Sequence, residues 1–418
     1  MRFASGVALL GLLTVSASAQ TLTVGNTVAN PNSSDYAPAA TRTAVDLTNP
    51  ANASGNLTHV TAGWSAYPCT SMPPVKAKVF RRVGDSFTLV AERGPFATTN
   101  SGLDVDLTPP IPVLEGDVIG VARVTTCGNP VAYSPMGIVL HDSFIEVAGD
   151  ATTFSYDPSM VHVGELAVGA RGTATEVVAG VLTSVASNPG RNGSYYHTLV
   201  QMLSYPYSSP LTGRFVFHQK LVPGSPSDPS LPFTIAGGDV QSWADVLATM
   251  GATGQPGSID IVLPWSQAMP QIGAQVYNDQ GAGGTNGFRE EPVPTTNHGY
   301  NMGTNIIFPG ATAFLFGPAD ATRYRSNIAI RSLEAGVTGS LQAFHADGSA
   351  AGSSVNFRYG PNTWDQKSWQ DFTGAALADG DYLRISVSDG AAIFDGSIVD
   401  NTTNDPADVL ARVAFAIE

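Results

Sequence analysis

The C-terminal half of this sequence contains two copies of one unit, and this repetition constrains the fold more than any other feature. Residues 239–245 (DVQSWAD) return as residues 365–371 (DQKSWQD) at a shift of 126 residues. The matching positions are Asp239, Ser242, Trp243 and Asp245 in the first copy and Asp365, Ser368, Trp369 and Asp371 in the second. A unit of this length is large enough to form a domain with its own hydrophobic core.

Short runs of alternating apolar and polar residues predict β-strands along most of the chain. Val75–Val83 and Ser86–Glu92 alternate on either side of a Gly-Asp turn, which is typical of a hairpin. The 44 glycines and 29 prolines favour many tight turns between strands. Because connections this short allow only antiparallel pairing, we predict an all-β protein of three antiparallel β-sandwich domains, Ig-like or jelly-roll-like. The last two domains are a tandem duplication with one short helix each.

The N-terminus carries the pattern of an export signal. Arg2 is followed by the short apolar run Val7–Val15 and by the cleavage pattern Ala17-Ser-Ala19, so we expect cleavage near Ala19. We also expect the mature protein to be soluble, extracellular or periplasmic, without a membrane span. The predicted organisation is a signal peptide at 1–19, a poorly ordered lead-in at 20–58, a disulfide-stapled sandwich at 59–150, a linker at 151–175, and repeats at 176–295 and 305–418.

The two cysteines, Cys69 and Cys127, both lie in the N-terminal third. In an exported protein two such residues favour one disulfide bond. The alternative is a reactive cysteine with a histidine base, which would leave the second thiol without a role in an oxidising compartment. We therefore predict a Cys69–Cys127 disulfide.

The repeated motif predicts a short helix with its tryptophan on one end of a sandwich. Asp239 and Asp365 are suitable N-cap residues, since a carboxylate can accept hydrogen bonds from the free amides of a first turn. On this interpretation the motif serines stand at the third helical position and each tryptophan begins an apolar face. Alternatively, Trp243 and Trp369 stack on sugar rings, and exposure of the indoles would distinguish the two hypotheses.

Composition and motifs exclude some functions and leave others open. A net charge of −14 offers no basic stripe for phosphates, so nucleic-acid binding is not expected. No established catalytic motif occurs, and the seven histidines lack zinc-ligand spacing, so no catalytic residue or metal ligand set is assigned. Two carboxylate pairs could serve glycoside hydrolysis, namely Asp104 with Asp106 and Glu290 with Glu291.

The segment 400–406 (DNTTNDP) is the most oxygen-rich short run in the chain. Side-chain oxygens of Asp400, Asn401 and Asp405 could bind calcium, a hard ion that prefers such ligands. The alternative, which we favour, is a strand-ending turn in which Asp and Asn bond to their own backbone. No cofactor is otherwise expected.

The same segment resembles a repeat found in exported bacterial β-sandwich proteins of unknown function. The matching positions are Asp400, Asn401, Thr403, Asp405 and Pro406, and the resemblance covers about the last 240 residues. It implies β-sandwich units on secreted or surface proteins and supplies no site residues. We therefore expect an exported, non-enzymatic binding, adhesion or scaffold protein whose partner is a glycan or a surface protein. The alternative is a secreted polysaccharide-active hydrolase with accessory modules.

Overall fold

The computed structural model describes residues 21–26, 41–63, 74–99, 102–123, 131–132, 143–163, 165–190, 193–206, 209–225, 227–265, 267–279, 285–295 and 305–414. Over these residues the protein is all-β, as predicted, with antiparallel sheets and two α-helices of about one turn each. None of the helices in this part of the chain has the length and apolar character needed to cross a membrane. The predicted signal peptide and both cysteines, Cys69 and Cys127, lie outside the described residues.

Within the described residues, the N-terminal module contains twelve strands and one 3-10 helix, Pro158–Met160. The strands are β1 (Thr21–Gly25), β2 (Arg42–Asp46), β3 (Ser54–Ala62), β4 (Val75–Val83), β5 (Ser86–Phe96), β6 (Leu103–Val113), β7 (Val118–Arg123), β8 (Val131–Ala132), β9 (Ser143–Ala148), β10 (Thr153–Ser155), β11 (Val161–Val163) and β12 (Glu165–Leu166).

Two modules follow, which we call repeat 1 and repeat 2. Repeat 1 contains β13 (Val168–Ala186), β14 (Asn188–Pro189), β15 (Tyr195–Leu203), β16 (Leu211–Gln219), β17 (Ser230–Ile235), β18 (Val240–Trp243), helix α1 (Val246–Thr249), β19 (Pro256–Pro264), β20 (Gln271–Asp279), β21 (Thr285–Glu290) and β22 (Val293–Pro294). Repeat 2 contains β23 (Ile306–Ile307), β24 (Thr312–Phe316), β25 (Tyr324–Phe344), β26 (Val355–Tyr359), β27 (Trp364–Ser368), helix α2 (Trp369–Thr373), β28 (Tyr382–Asp400), β29 (Pro406–Leu410) and β30 (Arg412–Ala414).

The predicted lead-in supplies three strands to the N-terminal module. Leu22 and Val24 of β1 are fully buried, and they share one apolar core with residues of β2, β3, β4 and β7. A seven-stranded sheet, ordered β10-β5-β4-β7-β2-β9-β11, forms one side of this module. The interpretation of residues 20–58 as a poorly ordered lead-in is therefore wrong for 21–25, 42–46 and 54–58. Their polar, turn-rich surroundings hid short strands that become stable only through long-range pairing.

The predicted linker is also part of a sheet. The first half of β13 pairs with β3 (Val168 with Ala62), and its second half pairs with β19 (Ala186 with Pro256). One eight-stranded sheet, with β17-β16-β19-β13-β3-β6 as its main path, therefore runs from the N-terminal module into repeat 1. The boundary predicted at 151–175 falls inside this strand for residues 168–175, because alternation there was too irregular to indicate a strand.

The two repeats share one pairing pattern. In repeat 1, β15 pairs with β20 and β16 with β19, whereas in repeat 2 the two long strands β25 and β28 make both pairings, with register shifts between Ser332 and Val337 and between Thr338 and Gly339. The register is also shared, since Gln201 faces Ser242 in β18 and Asn327 faces Ser368 in β27. Each repeat has its own apolar core, and a smaller cluster joins them through Val181, Val293, Ile306, Leu333, Ala391 and Ile393.

Candidate functional site

The repeated D-x-x-S-W-x-D motif lies at a strand-to-helix junction in both copies. In the first copy it contains β18, and α1 begins only after the motif, at Val246; in the second, β27 runs through Ser368 and α2 begins at Trp369. The N-cap of α1 is Asp245, which accepts a hydrogen bond from an amide of the first turn at 3.1 Å. The N-cap of α2 is Ser368, whose hydroxyl accepts from the Asp371 amide at 3.2 Å. The assignment of Asp239 and Asp365 as N-caps is therefore wrong.

The strand that precedes each helix explains this error. Asp239 lies in an exposed turn before β18, and Asp365 lies within β27 opposite Ile330. Pairing with β15 or β25 keeps both segments extended up to the serine position. Sequence alone favoured caps at these aspartates because it contained no signal for that pairing.

Both motif tryptophans are core residues. Trp243 is 7% exposed and Trp369 is 2% exposed, so neither indole presents a face to solvent. Trp243 packs edge-on against Phe215, with ring centroids 5.1 Å apart and planes at 85°. This burial favours the core hypothesis over the sugar-stacking hypothesis for both positions.

Asp365 has a role that differs from that of a cap. Its buried carboxylate accepts a hydrogen bond from the Tyr359 hydroxyl at 2.7 Å, and Lys367 lies 3.2 Å away. Burial, and then this contact with the carboxylate, raise the pKa of Tyr359. Lys220 of repeat 1 reaches into the same region and donates to the backbone carbonyl of Gln366. The Lys220 ammonium also lies 3.8 Å from the second oxygen of Asp365, so this carboxylate takes part in a contact between the two repeats.

The oxygen-rich segment 400–405 makes the contacts of a turn. One oxygen of Asp400 accepts from amides two and three residues ahead, at 2.7 and 3.1 Å, and the other accepts from Arg323 at 2.9 Å. These hydrogen bonds, led by those from the backbone, lower the pKa of Asp400. The side-chain oxygen of Asn401 accepts from Arg325, and Asp405 accepts from an amide of β21. Protein donors therefore contact all three residues considered for calcium.

The two carboxylate pairs considered for hydrolysis lie in different settings. Asp104 and Asp106 are exposed on β6 and bond to the two ring nitrogens of His59, Asp106 at 2.9 Å. Glu290 is buried, whereas the side chain of Glu291 is exposed and lies 3.5 Å from Arg289. The structure thus places Glu290 and Glu291 in different environments, and Glu290 has other neighbours.

A cavity of about 300 Å³ lies between the two repeats, and we call it the inter-repeat cavity. This volume is at the lower end of the range of about 300–1,000 Å³ for small-molecule sites. Its walls include three aromatic and three amide side chains, namely Tyr196, Phe288, Trp364, Asn188, Asn327 and Gln366. Two of these have a buried polar atom without a hydrogen-bonding partner, Asn188 Oδ1 and Trp364 Nε1. Both atoms are enclosed by protein, so the partly exposed amides of Asn327 and Gln366 are the polar groups nearest to any ligand.

A buried ionic network joins repeat 1 to repeat 2 at a second, smaller cavity of about 140 Å³. Asp260 accepts from Arg331 at 2.6 Å and from His218 Nε2 at 2.8 Å, and His218 Nδ1 lies 2.7 Å from Asp228. Because both ring nitrogens donate to carboxylates, His218 is held as an imidazolium and has no free nitrogen to act as a base.

The pKa values of this network follow from its charges. Burial disfavours the charged forms, but Arg331 and His218 outweigh it and lower the pKa of Asp260 to about 2. Burial likewise opposes the charge of His218, yet the carboxylates of Asp260 and Asp228 raise its pKa above the usual range. The network is therefore neutral overall when fully ionised, which suits a structural role at a buried junction.

Two glutamates line the same small cavity. Glu115, from the N-terminal module, accepts a hydrogen bond from the Val178 amide at 2.8 Å. Burial and the nearby charge of Glu334 raise the pKa of Glu115, and burial also raises the pKa of Glu334. All three modules contribute to this cavity, yet its volume is about half the lower limit of a typical small-molecule site.

A third cluster contains the residues best suited to hold a metal ion. Glu290 of β21, Asp395 of β28 and Asp408 of β29 each place a carboxylate oxygen within 4.8 Å of the others. Burial and the neighbouring Asp408 and Asp395 raise the pKa of Glu290 well above its usual range. Burial also raises the pKa of Asp395, and burial together with Asp395 raises that of Asp408 to about 8. We call these three residues the acidic cluster.

Sequence reasoning missed the ionic network and the acidic cluster, because their members are far apart in the chain. Asp260 and Arg331 are separated by 71 residues, and Glu290 was noticed only for its neighbour Glu291. Their one sequence signal is an acid inside an otherwise apolar strand, as Asp260 is in β19 (PGSIDIVLP). No known protein family, curated protein or solved structure matches this chain.

Proposed function

We propose that this protein is an exported, non-enzymatic binding or scaffold protein whose ligand is a carbohydrate bound in the inter-repeat cavity. The observation that carries this proposal is the cavity itself, with aromatic and amide side chains in its walls and about 300 Å³ of space. Export is inferred from the N-terminal pattern at residues 1–19. A binding role at a surface agrees with a chain built from joined β-modules.

The chemistry of the cavity suits a neutral polar molecule with apolar faces. A sugar offers hydroxyl groups that both donate and accept, together with C–H faces that pack on aromatic rings. Asn188, Asn327 and Gln366 can match hydroxyls because each amide carries a donor and an acceptor. Tyr196 and Phe288, both partly exposed, supply aromatic contact area, whereas Trp364 is a buried part of the wall.

A rigid arrangement of the repeats supports binding in a cavity that both of them line. Arg331 pairs with Asp260, Lys220 contacts Gln366, and the apolar cluster around Val181 and Leu333 packs between the modules. Such contacts reduce the ordering cost of binding, because the walls are already held in place.

The test is a glycan array with the mature protein, followed by calorimetry on any glycan retained. Gln366→Met removes one amide from the cavity wall and should weaken binding by about tenfold, the value of one hydrogen bond. Gln201→Met is the matched control, because Gln201 is an exposed amide outside the inter-repeat cavity. Retention of no glycan, or equal effects of both variants, would contradict the carbohydrate proposal.

The second candidate function is hydrolysis of a polysaccharide, favoured by the raised pKa values of Glu115 and Glu334 in one cavity. A carboxyl with a raised pKa is what a general acid requires. Two observations argue against hydrolysis: the cavity has a volume of only about 140 Å³, and both ring nitrogens of His218 are already hydrogen-bonded. Release of reducing sugar from a polysaccharide, abolished by Glu334→Gln, would replace the binding proposal with this one.

A further inference from the structure

We propose that the acidic cluster, Glu290, Asp395 and Asp408, binds one calcium ion between the two repeats. Its three carboxylate oxygens all lie within 4.8 Å of one another. Calcium–oxygen distances are about 2.3–2.6 Å, so two ligands on opposite sides of the ion are separated by about 4.6–5.2 Å. The three oxygens are therefore close enough together to bind one calcium ion.

The second observation is that two buried oxygens of the cluster lack partners. Glu290 and Asp395 are each about 1% exposed, and neither Glu290 Oε2 nor Asp395 Oδ1 has a hydrogen bond. An unpartnered buried carboxylate oxygen is costly, because it has lost its water without replacement. A bound cation would satisfy both atoms at once.

The other oxygens of these two carboxylates are held in place by β13. Glu290 Oε1 accepts from the Thr183 amide at 2.7 Å, and the Thr183 hydroxyl lies 2.8 Å from the same atom. Asp395 Oδ2 accepts from the Ser184 hydroxyl at 2.6 Å and lies 3.0 Å from that of Thr183. Contacts of this kind orient metal ligands and tune their affinity.

The charge of the cluster also points to a cation. Within the described part of the chain, none of the ion pairs involves Glu290, Asp395 or Asp408. The contrast with Asp260 is direct, because that buried carboxylate has Arg331 and His218 beside it. Three neighbouring carboxylates without such partners would repel one another unless a cation or protons compensate them.

The ligand set favours calcium over other metals. Three carboxylates with hydroxyls nearby form an all-oxygen site, which suits hard cations and excludes the nitrogen and sulfur ligands typical of zinc. Magnesium usually retains several waters and binds through one or two carboxylates, so a cluster of three protein carboxylates suits calcium better. The site would connect β21 of repeat 1 to β28 and β29 of repeat 2. Ser184 also lines the inter-repeat cavity, so the ion would lie next to its wall.

The experiment is calorimetric titration of the mature, chelator-treated protein with calcium chloride, repeated with magnesium chloride. We expect one calcium per chain, and a calcium-dependent rise in melting temperature. Asp408→Asn should weaken binding by more than about 100-fold, since even residues behind the ligands typically cost 10–100-fold. Asp408 is half-buried, so this variant should fold, and Thr183→Val gives a second, smaller loss.

Two matched controls distinguish the cluster from its surroundings. Glu291→Gln removes an exposed charge next to Glu290 and should change affinity by no more than about fivefold. Asp405→Asn alters the oxygen-rich turn and should leave the calcium stoichiometry unchanged. Absence of saturable calcium binding, loss of it in Asp405→Asn but not in Asp408→Asn, or preference for magnesium would overturn the proposal. Calcium binding without glycan binding would refute only the proposed function. Glycan binding without calcium binding would refute only the calcium site.

Discussion

Replacing Asp260 by asparagine tests whether the buried ionic network stabilises the junction between the repeats. Asp260 is 3% exposed and accepts hydrogen bonds from Arg331 and from His218. Asparagine has nearly the same size, but its amide nitrogen donates where the carboxylate oxygen accepts. The variant therefore leaves at least one buried cation facing a donor and removes the charge that compensates both.

The magnitude follows from the burial of the partners. Breaking a buried ion pair by removing one member costs about 3–5 kcal/mol. The pKa of Asp260 is lowered from 3.8 to about 2, which corresponds to about 2 kcal/mol of favourable interaction of its charged form. The remainder comes from leaving Arg331 and His218 without their acceptor.

The same network sets the pH dependence of stability. The folded-state pKa of Asp260 is below its unfolded value, so its contribution is present above about pH 4 and is lost as pH falls toward 2. The pKa of His218 is raised, so its contribution is present below about pH 6.5 and is lost as pH rises through the folded value. Asp260→Asn should remove the acid-side loss attributable to this residue.

The assay is urea unfolding at neutral pH, with tryptophan fluorescence as the measure of the unfolded fraction. Asp106→Asn provides a matched control, because Asp106 is exposed and its contact with His59 should contribute under about 1 kcal/mol. Arg331→Met combined with Asp260→Asn should recover part of the loss, since the uncompensated cation is removed. A loss below about 1 kcal/mol in Asp260→Asn, equal to the control, would refute the argument.

Three further predictions concern the repeated scaffold. Trp369→Ala should cost about 3–5 kcal/mol in urea unfolding without weakening any glycan binding of the folded protein, because the indole is a core residue; a selective loss of glycan affinity would revive the sugar-stacking hypothesis. Ser368→Ala and Asp245→Ala should each cost about 0.5–2 kcal/mol, whereas Asp239→Ala should stay within about 0.5 kcal/mol. An equal loss at Asp239 would contradict the observed caps. Gly390→Ala should lower the melting temperature strongly, because φ is +70° and the new Cβ would come within 2.0 Å of a facing carbonyl oxygen; an unchanged melting temperature would disprove this.

The sequence predicted the all-β class and located most strands of the repeats because strand alternation is a local signal. The matched motifs at 239–245 and 365–371 also identified segments with the same pairing in both copies. Prediction from the sequence failed where a strand forms only by pairing with a segment far away in the chain. Residues 21–25 and 168–175 become strands through pairing with each other, and nothing in their local composition announces that contact.

The site residues were less predictable for the same reason. The charges that matter, such as Asp260 with Arg331 and Glu290 with Asp395, come together only when the two repeats pack. Residues that stood out locally proved to have local roles. Asp400 bonds to the turn that follows it, and Asp245 caps the adjacent helix.

The duplication explains why the candidate sites lie between the repeats. By strand pairing, Val216 faces Asp260 in repeat 1 and Gln342 faces Arg384 in repeat 2, so Asp260 and Arg384 occupy equivalent positions. Asp260 is buried against Arg331 of the other repeat, whereas Arg384 is exposed. The same position in the repeat is thus a buried acid in repeat 1, where the second module covers it, and an exposed base in repeat 2, where it faces solvent. Divergence between the copies follows from which sheet faces were covered when they packed, and those covered faces hold the cavity, the ionic network and the acidic cluster.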